Sequence, residues 1–284
     1  MGRGGPSRLT MASHDPAGSV RARDEMFAEF ALRTAIEAGS AILPHFRAPI
    51  DVEDKGGDRG YDPVTEADRA AEAVISAAVA NRYPDHGVEG EEHGRREGRS
   101  AFTWVVDPID GTRSFILGGL HWGTLIALND GTQPIVGVTH QPFVGESFVA
   151  VAGRSEWRRG AERRPLATRR CPRVDAASVT TTDPRLFRSA RERAAYAAVT
   201  EGTRLVRYGG DCYCYTRLAM GLVDIVIETG LHAYDIQALI PLIENAGGVV
   251  TNWEGGPCYR GGEVLACGDR ALHAELLHRI ATRR

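Results

Sequence analysis

The sequence has few cysteines and no long apolar run. Its five cysteines are an odd number in a chain of 284 residues, which argues against a disulfide framework and for a reducing compartment. No apolar segment approaches the length of a transmembrane helix, so no membrane partner is expected. The first twenty residues also lack the apolar segment of a secretory signal. These absences predict a cytoplasmic protein.

The chain carries no strong excess of charge. A net charge of −3 gives no global reason to expect nucleic acid as a partner, and 43% hydrophobic with 25% charged residues is ordinary for a globular protein. Residues 1–22 are rich in Gly, Pro, Ser and Arg, and we expect a disordered leader there. Residues 23–155 should form an N-terminal α+β half, and residues 156–284 a C-terminal α/β half.

Hydrophobic periodicity predicts alternating helices and strands. Apolar residues recur at helical spacing from about Asp24 to His45, and Thr65 begins a second helix that ends around Arg82 to Pro84. Alternation of this kind implies layers of helices and sheets, an α/β fold. Further strands are expected over residues 102–106, 125–128, 135–140, 146–150, 178–182, 204–208, 225–228 and 249–253, and further helices over 188–200, 211–220 and 235–245.

An arginine-rich segment lies between the two halves. Arg154 to Arg173 contains eight arginines and little apolar periodicity. This composition is compatible with a nucleic-acid patch, but charge runs usually lie on solvated surfaces. We therefore favour a solvated connector and do not expect nucleic acid as a partner.

The most informative motif is Asp107-Pro-Ile-Asp110-Gly-Thr112, which follows an apolar strand. Pro108 cannot donate to a sheet ladder, so the strand should stop there. Gly111 lets the backbone approach a ligand, and Thr112 is suited to opening a helix. The carboxylates can supply oxygen ligands to a hard cation, while the N–H groups of a helix start can face an anion.

Two more acidic sites lie at element boundaries. Glu91 and Glu92 follow a short strand, and Asp235 begins a helix. Taken singly, they could be solvated loop residues and a helix cap, and the motif at Asp107 could be only a turn. As a set, converging carboxylates repel one another unless cations neutralise them, and all-oxygen sites suit Mg²⁺ or Mn²⁺. Two such ions about 3.5–4 Å apart promote in-line displacement at phosphomonoesters.

These motifs resemble a known family. Gly90-Glu-Glu92, the motif from Asp107 to Thr112, and Tyr234-Asp235, in this order, resemble the inositol monophosphatase superfamily of Mg²⁺-dependent, lithium-sensitive phosphatases, from about Asp24 to the C-terminus. The resemblance implies a layered α-β-α-β-α sandwich, usually a homodimer. Residues 113–115, 122–128, 141–142, 168–171, 181–182, 208–213 and 228–235 resemble the histidinol-phosphate phosphatase branch.

The resemblance also implies site residues. Thr112, paired with Asp68, would orient the attacking water together with Glu91. Lys55 would lie on a mobile loop. The metal ligands would be Glu91, Asp107, the carbonyl of Ile109, Asp110 and Asp235; the N–H groups of Gly111 and Thr112 would hold phosphate; and Asp110, Asp211 and Glu228 would bind the organic part of the substrate.

The cofactors implied are two or three Mg²⁺ ions, for which Mn²⁺ can substitute. Relatives often support a third ion with a Glu late in the first helix, and residues 38–45 contain none, so a third site stays open. The reaction implied is hydrolysis of L-histidinol phosphate to L-histidinol and phosphate. The alternatives are inositol 1-phosphate or another small phosphomonoester, and, in a different class, association with transcription complexes on RNA through Arg154 to Arg173.

Overall fold

The computed structural model describes residues 16–56 and 61–283. No helix within these ranges is long and apolar enough to cross a membrane. The helices are α1 (Pro16–Ile42), α2 (Glu66–Arg82), α3 (Thr112–Ile116), α4 (Ala190–Thr200), α5 (Cys212–Ala219), α6 (Ala233–Ile236), α7 (Leu239–Asn245) and α8 (Arg270–Thr282). The strands are β1 (Val52–Asp54), β2 (Pro63–Thr65), β3 (Gly87–Gly90), β4 (Gly94–Arg96), β5 (Thr103–Asp110), β6 (Gly123–Asn129), β7 (Pro134–Gln141), β8 (Glu146–Val151), β9 (Arg154–Arg159), β10 (Glu162–Pro165), β11 (Ser178–Thr181), β12 (Leu205–Tyr208), β13 (Ile225–Leu231), β14 (Val249–Thr251) and β15 (Gly262–Cys267).

Two large sheets and three helical layers form the predicted α-β-α-β-α sandwich. The first sheet has the strand order β10-β9-β8-β7-β6-β5-β3-β4, and the second has the order β12-β11-β13-β15-β14. Successive strand residues point to opposite faces. Val106 and Ile126 therefore pack under α1 and α2, whereas their neighbours Val105 and Leu125 pack against α5 and α7 in the middle layer. The far face of the second sheet packs against α4 and α8.

The first helix begins earlier than the sequence predicted. It starts at Pro16, so residues 16–22, assigned to the disordered leader, are helical, and residues 1–15 of that leader lie outside the described residues. Pro is favoured at the first helical position because its missing N–H has no partner there anyway. Arg21 and Glu25 lie one turn apart and form an ion pair at 3.8 Å, which stabilises this first part of the helix.

Much of the arginine-rich segment is sheet rather than a plain connector, and the boundary predicted at residue 155 falls inside β9, so the division into two halves there stays a prediction. Strands β9 and β10 extend the first sheet to Pro165, with β9 paired to β8 and β10 paired to β9. Arg158 is only 7% exposed, and it forms ion pairs with Glu29 and Glu156. Pairing with β8, together with carboxylates supplied by α1 and by β9 itself, therefore stabilises a charged sequence as sheet.

Pro108 does not end its strand. Strand β5 continues to Asp110, and its register against β6 shifts between Asp107 and Asp110. A bulge leaves ladder positions unpaired, which accommodates a residue without an N–H. The carbonyl of Pro108 accepts a hydrogen bond from the Thr124 hydroxyl at 2.9 Å. The bulge sets the spacing of the two aspartates that flank it.

The helix predicted over residues 235–245 is divided into α6 and α7. In one continuous helix Pro241 would remove the hydrogen bond to the carbonyl of Gln237 and clash with it. A new helix that starts at Leu239 places Pro241 in the first turn, where it is tolerated. The short α6 then carries Asp235 in its own first turn.

Candidate active site

Parallel pairing of two strands brings Glu91 to Asp107. Strand β3 pairs with β5 in parallel, with Gly90 opposite Val106, and the N–H of Glu91 donates to the carbonyl of Val106 at 3.2 Å. Glu91 and Asp107, the residues that follow Gly90 and Val106 in the chain, therefore lie side by side at one edge of the sheet. Strand β4 lies between β3 and β5 in the chain, so it is the pairing of β3 with β5 that joins these two carboxylates.

Asp107, Asp110 and Asp235 form one carboxylate cluster. One oxygen from each lies within 4.8 Å of the other two. Asp110 follows the bulge in β5 and accepts the N–H of Cys212 at the start of α5. Asp235 accepts the N–H of His232 at 2.6 Å, which fixes it at the start of α6. Four of the predicted ligand residues thus meet around one point, with Glu91 beside Asp107.

Burial and mutual repulsion disfavour the charged forms of these acids. Burial, together with the charges of Glu91 and Asp110, raises the pKa of Asp107 well above its usual range, and burial with the charges of Asp211 and Asp235 does so for Asp110. Burial also raises the pKa of Glu91 to about 7, although Lys55 opposes that change. A bound divalent cation would reverse these shifts, since it becomes the largest local charge.

Lys55 is the single lysine of the sequence, and it contacts two glutamates next to the carboxylate cluster. Its Nζ lies 2.8 Å from Glu91 Oε1 and 2.9 Å from Glu92 Oε1. Burial alone would lower the pKa of Lys55, but hydrogen bonds and attraction from the two glutamates raise it above its ordinary value. One cation beside four acids leaves the cluster with excess negative charge, and carboxylate and carbonyl oxygens are the donors that Mg²⁺ prefers.

Asp68 and Thr112, which were predicted to act as a pair, form hydrogen bonds with other groups and not with each other. Asp68 Oδ2 accepts the N–H and the hydroxyl of Thr65, at 2.8 and 2.5 Å, and so caps α2. Asp68 Oδ1 is buried and has no partner within the described part of the chain. The Thr112 hydroxyl donates to the carbonyl of Ile109 at 3.0 Å. A buried acceptor without a donor is rare, and this one is suited to a water or hydroxyl group.

A cavity of about 590 Å³ opens beside the cluster. Asp211 and Glu228, the acids predicted to face the substrate, both line it. Glu228 is only 1% exposed and accepts the Thr182 N–H at 2.6 Å and the Thr181 hydroxyl at 3.1 Å. Burial raises the pKa of Glu228 to about 8, although the hydrogen bond from Thr182 opposes it. Burial likewise raises the pKa of Asp211 to about 7.

Arg113 is the one cationic side chain among the described residues that line this cavity. Its guanidinium donates to the carbonyl of Tyr61, and its charge opposes the rise in the pKa of Asp211. Asp211 has a φ of 43°, a conformation that few residues other than glycine adopt. Backbone strain of this kind persists where the surroundings hold it in place, and it clusters at ligand sites.

Gly111 is required by close packing. Its φ is 88°, and a Cβ there would lie 2.5 Å from the carbonyl oxygen of His121. This residue caps the five-residue helix α3, which Thr112 begins as predicted. The roles of the Gly111 and Thr112 N–H groups in phosphate binding stay predictions.

Glu72, which was not predicted from the sequence, fixes the turn that carries Glu91. Its buried carboxylate accepts the N–H groups of Glu92 and the following residue, at 2.8 and 2.9 Å. Gly90 makes room for it, because a Cβ there would lie 2.1 Å from Glu72 Oε1. The signal that could have revealed Glu72 is its spacing of four residues from Asp68, which places both on one face of α2.

A larger cavity of about 960 Å³ lies on the far side of His232 and Tyr234. It lacks the carboxylate cluster, and its Arg95 forms ion pairs with Glu89 and Glu97. Size alone therefore does not identify the site. The convergence of acids and the strained Asp211 both favour the smaller cavity.

Comparisons with known proteins identify the family of this chain. The chain matches the model of the inositol monophosphatase family over residues 23–283. The Arabidopsis thaliana protein "Bifunctional phosphatase IMPL2, chloroplastic" is 36% identical over 284 residues, 96% of this chain and 80% of its own. The "Histidinol-phosphatase" of Chlorobaculum parvum is 31% identical over 253 residues, 89% of this chain and 95% of its own. The solved structure of an inositol monophosphatase from Zymomonas mobilis has a TM-score of 0.80 at 35% identity and covers 90% of this chain and 98% of that one. The resemblance seen in the motifs is confirmed, and this phosphatase belongs to the inositol monophosphatase family.

Proposed function

We propose that this phosphatase hydrolyses L-histidinol phosphate to L-histidinol and phosphate. The observation that carries the proposal is the charge of the cavity. Six acids line the cavity, whereas Arg113 is the one cationic side chain among the described lining residues. Three of the six acids are predicted metal ligands. The acids are Asp62, Glu91, Asp110, Asp211, Glu228 and Asp235. The remaining three form an acidic wall that would face the organic part of the substrate. A cationic group beside this wall would favour the ionised forms of Asp211 and Glu228, whose pKa values burial raises, so the wall favours an ester that carries ammonium and imidazole groups over one that carries only hydroxyls.

Phosphatases of this family use Mg²⁺, and we propose that two ions are held by Glu91, Asp107, the Ile109 carbonyl, Asp110 and Asp235, where they would activate water and stabilise the leaving oxygen. The acidic cluster fits this cation, because its oxygen donors match the preference of Mg²⁺ and its charge exceeds what Lys55 neutralises. The number of ions, and Mn²⁺ as a substitute, stay predictions.

The chain's own residues position the water. The unpartnered Oδ1 of Asp68 can accept a hydrogen bond from the Thr112 hydroxyl once that group turns away from the Ile109 carbonyl. The hydroxyl oxygen of Thr112 then accepts from the attacking water, while Glu91 accepts from the other side. In this arrangement Asp68 and Thr112 act as one unit in taking up the proton of the water.

The test is a phosphate-release assay with two parts. The unmodified protein is first screened on histidinol phosphate, inositol 1-phosphate, fructose bisphosphate and nucleotide phosphates, and we expect the highest kcat/KM for histidinol phosphate. Asp211→Asn and Glu228→Gln should then lower that kcat/KM, because each charge-assisted hydrogen bond is worth roughly 1.5–3 kcal/mol, or about ten- to over a hundredfold. Both variants should hydrolyse glycerol phosphate almost normally.

The exposed Asp175, paired with Arg173 far from the cavity, provides a matched control. Asp175→Asn makes the same change in net charge and should alter neither substrate. Equal losses on both substrates in the Asp211 and Glu228 variants would mean that these acids hold structure or metal. A preference of the unmodified protein for inositol 1-phosphate would overturn the assignment of histidinol phosphate.

The contacts of the described residues do not favour the RNA-associated alternative, although the protein named "Nus factor SuhB" of Escherichia coli is 31% identical over 255 residues, 87% of this chain and 92% of its own. Six of the eight arginines between Arg154 and Arg173 pair with carboxylates, which removes most of the free positive charge that a phosphate backbone would need. The homodimer and the cytoplasmic location stay predictions.

A further inference from the structure

The hydroxyl group of Tyr215 is buried without a hydrogen-bond partner. Tyr215 lies on α5 and is only 2% exposed. Across residues 16–56 and 61–283, its phenolic oxygen is one of four buried side-chain polar atoms for which no partner is present. Buried tyrosine hydroxyls usually find a partner, so an exception calls for an explanation.

The position of Tyr215 supplies that explanation. It lines the same cavity as Asp211 and Glu228. It follows Cys212 by three residues, and the two side chains share the face of α5 that borders the cavity. Two of the other unpartnered atoms, Trp122 Nε1 and Thr139 Oγ1, belong to residues that do not line it.

The neighbouring acids are already occupied by other donors. Both oxygens of Glu228 accept hydrogen bonds, from Thr181 and Thr182. Asp110 Oδ2 accepts the N–H of Cys212. Burial and then the charge of Glu228 raise the pKa of Tyr215 well above its ordinary value, so the hydroxyl stays protonated. Although it has almost no exposed surface, the hydroxyl keeps its capacity as donor and as acceptor, and a substrate group that packs against the Tyr215 side chain would meet it.

We infer that Tyr215 is a specificity-determining residue whose hydroxyl oxygen accepts a hydrogen bond from a nitrogen of the substrate's organic group. The inference rests on the proposed function, since Asp211 and Glu228 on the same wall select for a cationic group. Asp211, Glu228 and Tyr215 together then distinguish phosphomonoesters of amino alcohols from those of polyols. The metal ligands, by contrast, would act through their ions on the phosphate that both classes share, and of these ligands Asp110 alone is also predicted to contact the organic group.

Tyr215→Phe tests this inference because it keeps the ring and removes only the hydroxyl. We expect kcat/KM for histidinol phosphate to fall about tenfold or more, as for a lost hydrogen bond to a charged group. Hydrolysis of glycerol phosphate should stay within about twofold of normal. The melting temperature should be unchanged or higher, since the substitution removes a buried polar group that lacks a partner in the free protein.

Tyr213 on the same helix provides the matched control. Its hydroxyl donates to Glu146 Oε1 at 2.8 Å and does not line the cavity. Tyr213→Phe should therefore lower the melting temperature and leave the ratio of the two kcat/KM values unchanged. Tyr215→Phe should thus change substrate preference without a loss of stability, whereas Tyr213→Phe should lower stability without changing substrate preference.

An unchanged ratio in Tyr215→Phe, or equal losses on both substrates, would overturn the inference. Failure of the proposed function is a separate result, because it appears in the substrate screen of the unmodified protein. If that screen favours a neutral ester, Tyr215→Phe is measured on the favoured ester against glycerol phosphate. A changed ratio of kcat/KM values for that ester and glycerol phosphate would still support contact between Tyr215 and the substrate. It would overturn the inference that a substrate nitrogen is the hydrogen-bond donor.

Discussion

Removing one charge from the carboxylate cluster should stabilise the metal-free protein. One oxygen each of Asp107, Asp110 and Asp235 lies within 4.8 Å of the other two. At an effective dielectric constant of 20, two ionised carboxylates at that distance repel by about 3.5 kcal/mol. The acids relieve part of this repulsion by keeping protons, as the raised pKa of Asp107 indicates. We therefore expect Asp107→Asn to gain up to about 3 kcal/mol, the order of the repulsion between two of these carboxylates.

The assay is thermal unfolding in EDTA and in increasing Mg²⁺. For a chain of this size, Asp107→Asn should melt about 2–4 °C higher in EDTA for each kcal/mol gained. An ion present at one hundred times its Kd should stabilise the unmodified protein by about 2.7 kcal/mol, whereas the variant should lose most of this shift and its turnover. The asparagine carbonyl can still accept the N–H of Ile109, which Asp107 accepts at 3.1 Å.

Asp175→Asn is again the control, because it removes an equal charge from the surface and should leave both the melting temperature and the Mg²⁺ shift unchanged. Two results would refute the reasoning. One is a lower melting temperature of Asp107→Asn in EDTA, which would mean that the carboxylate supports the fold. The other is a full Mg²⁺ shift with near-normal turnover, which would mean that Asp107 is not a ligand.

Two further predictions concern the water and the pH dependence of stability. Thr112→Ala and Asp68→Asn should each lower kcat by about 10²–10⁴. The double variant should be little slower in the same steady-state assay, and additive losses would contradict a joint role. Glu228 has a pKa of about 8 in the folded protein against 4.5 ordinarily, so between these pH values the folded state binds more protons and its stability falls as pH rises. Glu228→Gln should make this fall shallower in metal-free melts from pH 4 to 9 without abolishing it, because Glu91 and Asp211 also have raised pKa values. Parallel profiles for both proteins would disprove the assignment.

Several features could be predicted from the sequence because they depend on neighbours along the chain. Thr65 and Asp68 form the start of α2 within four residues. Asp107 and Asp110 flank a proline at the end of an apolar strand, so their closeness is local. The family motifs share this property, which is why the fold and the ligand candidates were recognisable. The same local reasoning misjudged Pro108, because only the partner strand β6 reveals that the interruption is a bulge within β5.

The tertiary structure decided what depends on residues far apart in the chain. Strand β9 of the arginine-rich segment forms because β8 pairs with it and carboxylates such as Glu29 bind its arginines. The parallel pairing of β3 with β5 placed Glu91 against Asp107. Tyr215 lies within an ordinary helical pattern, and only burial beside Glu228 leaves its hydroxyl without a partner. Sequence patterns identify which groups are available for chemistry, but burial and the distances between strands determine which of them meet and which remain free to bind a ligand.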